Sequence, residues 1–61
     1  MEAQTKWQIE FNAWMRMVDM MLEVMYGMDS RDLADWCYRD DFEDGLTPTQ
    51  SAKRALRNNN S

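Results

Sequence analysis

The sequence predicts an all-α protein of three helices, at about residues 4–27, 35–44 and 48–58, with a long first helix and a shorter helical pair packed on it. Three features carry that expectation. Apolar residues recur at helical spacing through the first half. A threonine–proline–glutamine signal opens the last segment. Only Gly27, Gly45 and Pro48 interrupt the chain, and they divide it at those points.

The first helix places Trp7, Phe11, Trp14, Val18, Met21 and Met25 at spacings of 4, 3, 4, 3 and 4, a heptad seam. Gly27 follows as the left-handed residue that ends it. From Trp14 onward the flanking positions Met15, Met17, Leu22 and Val24 are apolar too, and only Arg16, Asp19 and Glu23 keep a narrow polar strip. A surface helix of a monomer shows an apolar stripe little wider than about 100°. This helix is therefore expected to be covered from two sides, by its own chain and by another, with a homodimer formed through the seam and Met17.

In the middle segment Asp29 or Ser30 caps a short turn at residues 31–34, and a helix over 35–44 turns Trp36, Tyr38 and Phe42 inward. Asp35 with Arg39, and Arg39 with Glu43, form i,i+4 pairs on its exposed face, and Gly45 ends it. In the last segment Thr47 is the N-cap, Pro48 takes the first helical position and Gln50 completes a capping box. Ala52, Ala55 and Leu56 face inward, while Lys53, Arg54 and Arg57 complement the helix C-terminus. Residues 58–61 are expected to fray.

Sixty-one residues make at most one domain, here taken as residues 1–61, and a chain this short buries only about 60% of its unfolded surface. Such chains need a disulfide, a metal or a partner. Cys37 is the single cysteine and histidine is missing, so association is the route left. The lone cysteine reads as a small half-buried thiol of a reducing compartment. There is no basic region followed by an apolar run at the start, and residues 14–28 are too short and too charged to span a bilayer. A cytoplasmic protein is expected.

The net charge of −4 is unevenly spread: residues 1–28 carry −2, residues 29–45 carry −5 and residues 46–61 carry +3. Overall acidity argues against general nucleic-acid affinity. Lys53, Arg54 and Arg57 leave a minor nucleic-acid reading open, although these bases lie at the far end of the last helix from where a recognition helix reads bases.

Three constellations invite chemistry. An EF-hand loop started at Asp40 reaches Gly45 at its sixth position, but meets Phe42 at the third and Ser51 at the twelfth, where ligands are needed. Methionines at 15, 17, 20, 21, 25 and 28 could hold Cu(I), yet a methionine stripe at helical spacing is more often core or an adaptable contact face. Carboxylates sharing a helix face need a pocket to split their pKa values, and with no histidine, serine elbow or glycine-rich loop an enzyme is not expected. No cofactor, metal or small-molecule substrate is expected either. The acidic residues Asp40, Asp41, Glu43 and Asp44, with Asp32 and Asp35 beside them, make a second surface: carboxylates on a helical frame can occupy a basic groove on another protein.

Tyr26-Gly27, Asp32-Leu33, Asp35, Tyr38-Arg39-Asp40, Phe42, Asp44-Gly45, Pro48 and Ala52 together resemble a group of small bacteriophage and prophage proteins of unknown function. The resemblance spans residues 26–56, about half of the chain, and leaves the first helix outside it. It implies a short accessory protein made by a phage in the bacterial cytosol, of a kind that often binds and inhibits a host protein. It brings no catalytic residues. The expected function is thus a non-enzymatic protein-binding module. A structural subunit of a larger complex is the alternative.

Overall fold

A computed structural model describes residues 4–59 and contains three helices: α1 (Lys6–Tyr26), α2 (Tyr38–Glu43) and α3 (Pro48–Asn59). No strand is present among the described residues. The all-α expectation holds; a dimer is not visible in a single chain.

Local chemistry sets both ends of α1, the end of α2 and the start of α3. Thr5 caps α1, its hydroxyl accepting the Gln8 amide at 3.1 Å. Gly27 ends it at φ 67°, and the amides of Gly27 and Met28 turn back to the carbonyls of Glu23 and Leu22. Gly45, at φ 81°, closes α2 in a Schellman motif: its amide donates to Phe42 O and that of Leu46 to Asp41 O. The capping box of α3 forms in both directions, with the Gln50 amide on Thr47 Oγ1 at 3.2 Å and the Thr47 amide on Gln50 Oε1 at 2.9 Å.

The middle helix is shorter than expected. Residues 30–35 are turns, and α2 starts only at Tyr38. Asp29 caps the first of these turns by accepting the amides of Arg31 and Asp32. Trp36 stays outside the helix so that its indole can reach forward to Asp41. Consequently Asp35 lies outside the helix and forms no ion pair with Arg39, whereas Arg39 and Glu43 pair at 3.4 Å. Cys37, at the α2 N-cap, is exposed rather than half-buried. At the other end α3 keeps Asn58 and Asn59 helical; the rest of the expected frayed tail, Asn60 and Ser61, lies outside the described residues.

The core is made of Val18, Leu22, Leu33, Tyr38, Ala52 and Ala55, rimmed by Phe11, Trp14, Met15, Met21, Met28, Trp36 and Leu56. Alanines at 52 and 55 let α3 lie close along α1, with Ser51 fully buried beside them. The seam of α1 packs on the chain's own helices: Val18 is fully buried, and Trp7, Phe11, Trp14 and Met21 are half-buried against the same chain. Leu22, on the flank of the seam, is fully buried, while Met25 at the seam's C-terminal end is exposed.

Candidate functional site

The inward side of α1 is an aromatic box around one ring. Phe42 meets Trp7, Phe11 and Trp14 edge-on at centroid separations of 5.5, 5.3 and 5.5 Å. Phe11 stacks on Trp7 at 5.1 Å, and the Arg39 guanidinium covers the outer face of Trp7 at 5.0 Å. The Trp14 indole donates to Leu46 O at 3.0 Å, which ties α1 to the turn before α3. These contacts hold the box inside the chain. Of the residues expected to form a partner interface, only Met17 and Met25 are exposed.

Opposite the box α1 has a second apolar face. Ile9, Met17, Met20 and Val24 project from it and are between 49% and 77% exposed, while Met25 and Tyr26 are exposed at the end of the helix on other sides of it. Monomeric proteins seldom leave so many large apolar side chains together on one helix. Sequence reasoning listed Met17 and Val24 as flanks but passed over Ile9 and Met20 as members of this face. Their spacing relative to Met17 and Val24 was the available signal.

The acidic run divides in the same way. Asp40, Glu43 and Asp44 are exposed, as are Asp32 and Asp35. Asp41 is not part of that surface, because it is only 3% exposed. Its Oδ2 accepts from Trp36 Nε1 at 2.7 Å and from Ser51 Oγ at 2.8 Å, and Arg54 lies at 3.7 Å from Oδ1. Arg54 also covers the Trp36 ring at 5.4 Å. Asp41 therefore joins the turn segment, α2 and α3 instead of facing a partner. Of the three bases on α3, Arg54 is already engaged by this network, and Lys53 and Arg57 face outward beside it.

The interior offers few groups for chemistry. Every buried side-chain nitrogen or oxygen among the described residues has a hydrogen-bond partner. Tyr38 donates its hydroxyl to Leu33 O at 3.2 Å, and its pKa is pushed up to about 12, by burial first and then by the charges of Asp19 and Asp29. That keeps the phenol protonated and structural. Asp19 accepts the Ser30 amide at 2.7 Å, fixing the chain just after α1. No helix among the described residues is long and apolar enough to cross a membrane.

Over residues 10–60 the chain matches the model of a family described as "Family of unknown function (DUF5419)". It is similar to the "Gene 87 protein" of Mycobacterium phage D29, with 38% identity over 50 residues, covering 82% of this chain and 93% of that protein. It is likewise similar to the "Gene 87 protein" of Mycobacterium phage L5, with 40% identity over 48 residues, covering 79% of this chain and 91% of that protein. The likeness to phage proteins thus holds and reaches further than the 26–56 pattern, since the family match takes in most of α1 and its outer face. No solved structure matches the chain.

Proposed function

The chain belongs to the family of unknown function (DUF5419), with relatives in mycobacteriophages, and on that footing we propose that it is a small non-enzymatic protein-binding module that acts in the host cytosol by binding, and inhibiting, a host protein. The observation that carries this reading is the outer face of α1. The chain completes a core with one side of that helix and still holds Ile9, Met17, Met20 and Val24 in solvent on the other. Adaptable methionine side chains suit such a contact surface. The acidic edge of Asp40, Glu43 and Asp44 is a second surface able to meet a basic groove.

The test is retention of host protein from a mycobacterial lysate on the immobilised chain, at low and at high salt. A specifically retained host protein is the expected result. Loss of retention at high salt assigns the contact to the acidic edge, and persistence assigns it to the apolar face. Retention no better than on an unrelated acidic helical protein at either salt overturns the proposal. The alternative of a structural subunit draws on the same outer face. It predicts co-purification with phage particles or assembly intermediates in place of a host protein. Nucleic-acid binding through Lys53, Arg54 and Arg57 is weaker, because Arg54 is held by Asp41. A gel shift at low salt decides it.

A further inference from the structure

The outer face of α1 has a charged edge as well as an apolar centre. At 3.6 residues per turn, Ile9, Ala13, Met17, Met20 and Val24 fall within a sector of about 80°. That sector lies on the side of the helix away from the buried Val18 and Leu22. Arg16 and Glu23 both border it on the same edge, two turns apart and of opposite sign. Neither takes part in an ion pair among the described residues.

That edge is self-complementary in one arrangement. When two identical helices pack antiparallel about a twofold axis, like edges meet, so each contact occurs twice. Placing the axis at the level of Val18 and Asp19 sets Met17 across from the partner's Met20 and Ala13 across from the partner's Val24. Small Ala13 leaves room for the large exposed Val24 side of the other helix. The same register brings Arg16 to within about 3 Å, measured along the axis, of the partner's Glu23, while the two Arg16 side chains stay about 7–8 Å apart along it. The helix dipoles also oppose one another favourably. α2 and α3 pack on the other side of α1 and leave the approach open.

We infer that the outer face of α1 is covered by a second copy of this chain, in an antiparallel twofold dimer closed by Met17, Met20 and Val24 and bordered by reciprocal Arg16–Glu23 pairs. The inference rests on the reading of that face as a contact surface. With that face occupied by a second copy, the host contact falls to the exposed acidic edge of Asp40, Glu43 and Asp44 and not to α1. A chain of this size gains stability from such a dimer without a disulfide or metal.

The experiment is sedimentation equilibrium of the full chain from micromolar to millimolar concentration. Four variants accompany it: Met20→Glu, Arg16→Glu, Glu23→Arg, and Arg16→Glu combined with Glu23→Arg. All three sites are exposed, and far-UV circular dichroism checks that each variant keeps its helices. The wild type is expected to dimerise. Met20→Glu, which buries a charge at the apolar centre, weakens the dimer by about a hundredfold. Each single charge reversal turns two attractions into repulsions and weakens it by about tenfold, and the double reversal restores it. A folded wild type that stays monomeric throughout overturns the inference. So does a dimer indifferent to Met20→Glu, or a double reversal no tighter than the single ones. Host-protein capture by a monomeric wild type removes the dimer and leaves the proposed function standing. A dimer of the expected kind that captures no host protein does the reverse.

Discussion

Trp36 and Asp41 meet through a 2.7 Å hydrogen bond from the indole nitrogen to a carboxylate oxygen that the surrounding side chains shut off from water. The bond spans the start of α2, since Trp36 precedes the helix and Asp41 lies within it. Ser51 donates to the same oxygen from α3, at 2.8 Å. One buried carboxylate thus pins together the three pieces that pack on α1. Removing it leaves two donors without an acceptor and Arg54 without its counter-charge. Asp41→Ala should therefore cost about 2–4 kcal/mol, a large part of the stability of so small a domain. Asp41→Asn, which can accept from one donor but not act as a charged acceptor, should cost roughly half as much. Urea titrations followed by tryptophan fluorescence give both values. A cost for Asp41→Ala within that of an exposed neighbour such as Asp40→Ala shows that the network does not hold the turn to α2.

The aromatic box makes a second prediction. Phe42 touches Trp7, Phe11 and Trp14 together and is the ring that joins α2 to them. Phe42→Ala opens a gap between α2 and the N-terminal half of α1 while leaving the Val18 and Leu22 contacts with α3 in place. The expected loss is about 3 kcal/mol, at the low end for a phenylalanine because the ring is only half-buried. Trp7→Ala, at the margin of the box, should cost less. If the order is reversed, the box is held by the Trp7–Arg39 contact and not by Phe42.

The same residues show what could be read from the sequence. The three helices, their caps at Gly27 and Gly45, and the Thr47–Gln50 box follow from local chemistry, which acts within a few residues and leaves its mark there. The interaction surfaces depend on helical phase and on where neighbours lie. Asp41 belongs by composition to an acidic run, yet one turn separates it from Tyr38, and it points the same way as Tyr38 and Phe42. Its burial was visible in that phase, but its partners were not, since Ser51 and Arg54 come from another helix. The early start expected for α2 failed for a related reason. Trp36 has the period of an inward helical residue, but its indole finds Asp41 only if the chain stays unwound until Tyr38. On α1 the apolar seam is legible from spacing, whereas its packing against the chain's own later helices is not. Periodicity tells which side chains share a face, and the chain's own later helices decide which face is left over.

Thr47 offers a test of how far α3 depends on its own start. The helix is rich in charged and amide side chains, and only Ser51, Ala52 and Ala55 are buried. Its N-terminus should therefore contribute visibly. Thr47→Ala removes the acceptor for the Gln50 amide and is expected to cost about 1 kcal/mol. Thr47→Ser should cost only a few tenths. Because Trp14 donates to Leu46 O just before this cap, the loss should also appear as altered Trp14 emission in the native state. A Thr47→Ala chain as stable as the wild type means that packing against α1 alone fixes where α3 begins.

Tyr38 sets the alkaline limit of the fold. Burial pushes its pKa from 10 to about 12 in the folded chain, with Asp19 and Asp29 adding to the shift. The unfolded chain gives up this proton at about pH 10, whereas the folded chain keeps it until about pH 12. In that window the folded state binds more protons, so stability falls as pH rises, and below it this group makes no contribution to the slope. The full loss is about 2–3 kcal/mol at 1.4 kcal/mol per unit. Tyr38→Phe forfeits the hydrogen bond to Leu33 O, about 1 kcal/mol at neutral pH. It should also flatten the profile between pH 10 and 12. The difference between the two urea-midpoint profiles removes every other alkaline titration and leaves that of Tyr38. Parallel profiles across the window, with a constant offset, mean that the phenol ionises in place, and that Leu33 O and the nearby carboxylates do not hold it protonated.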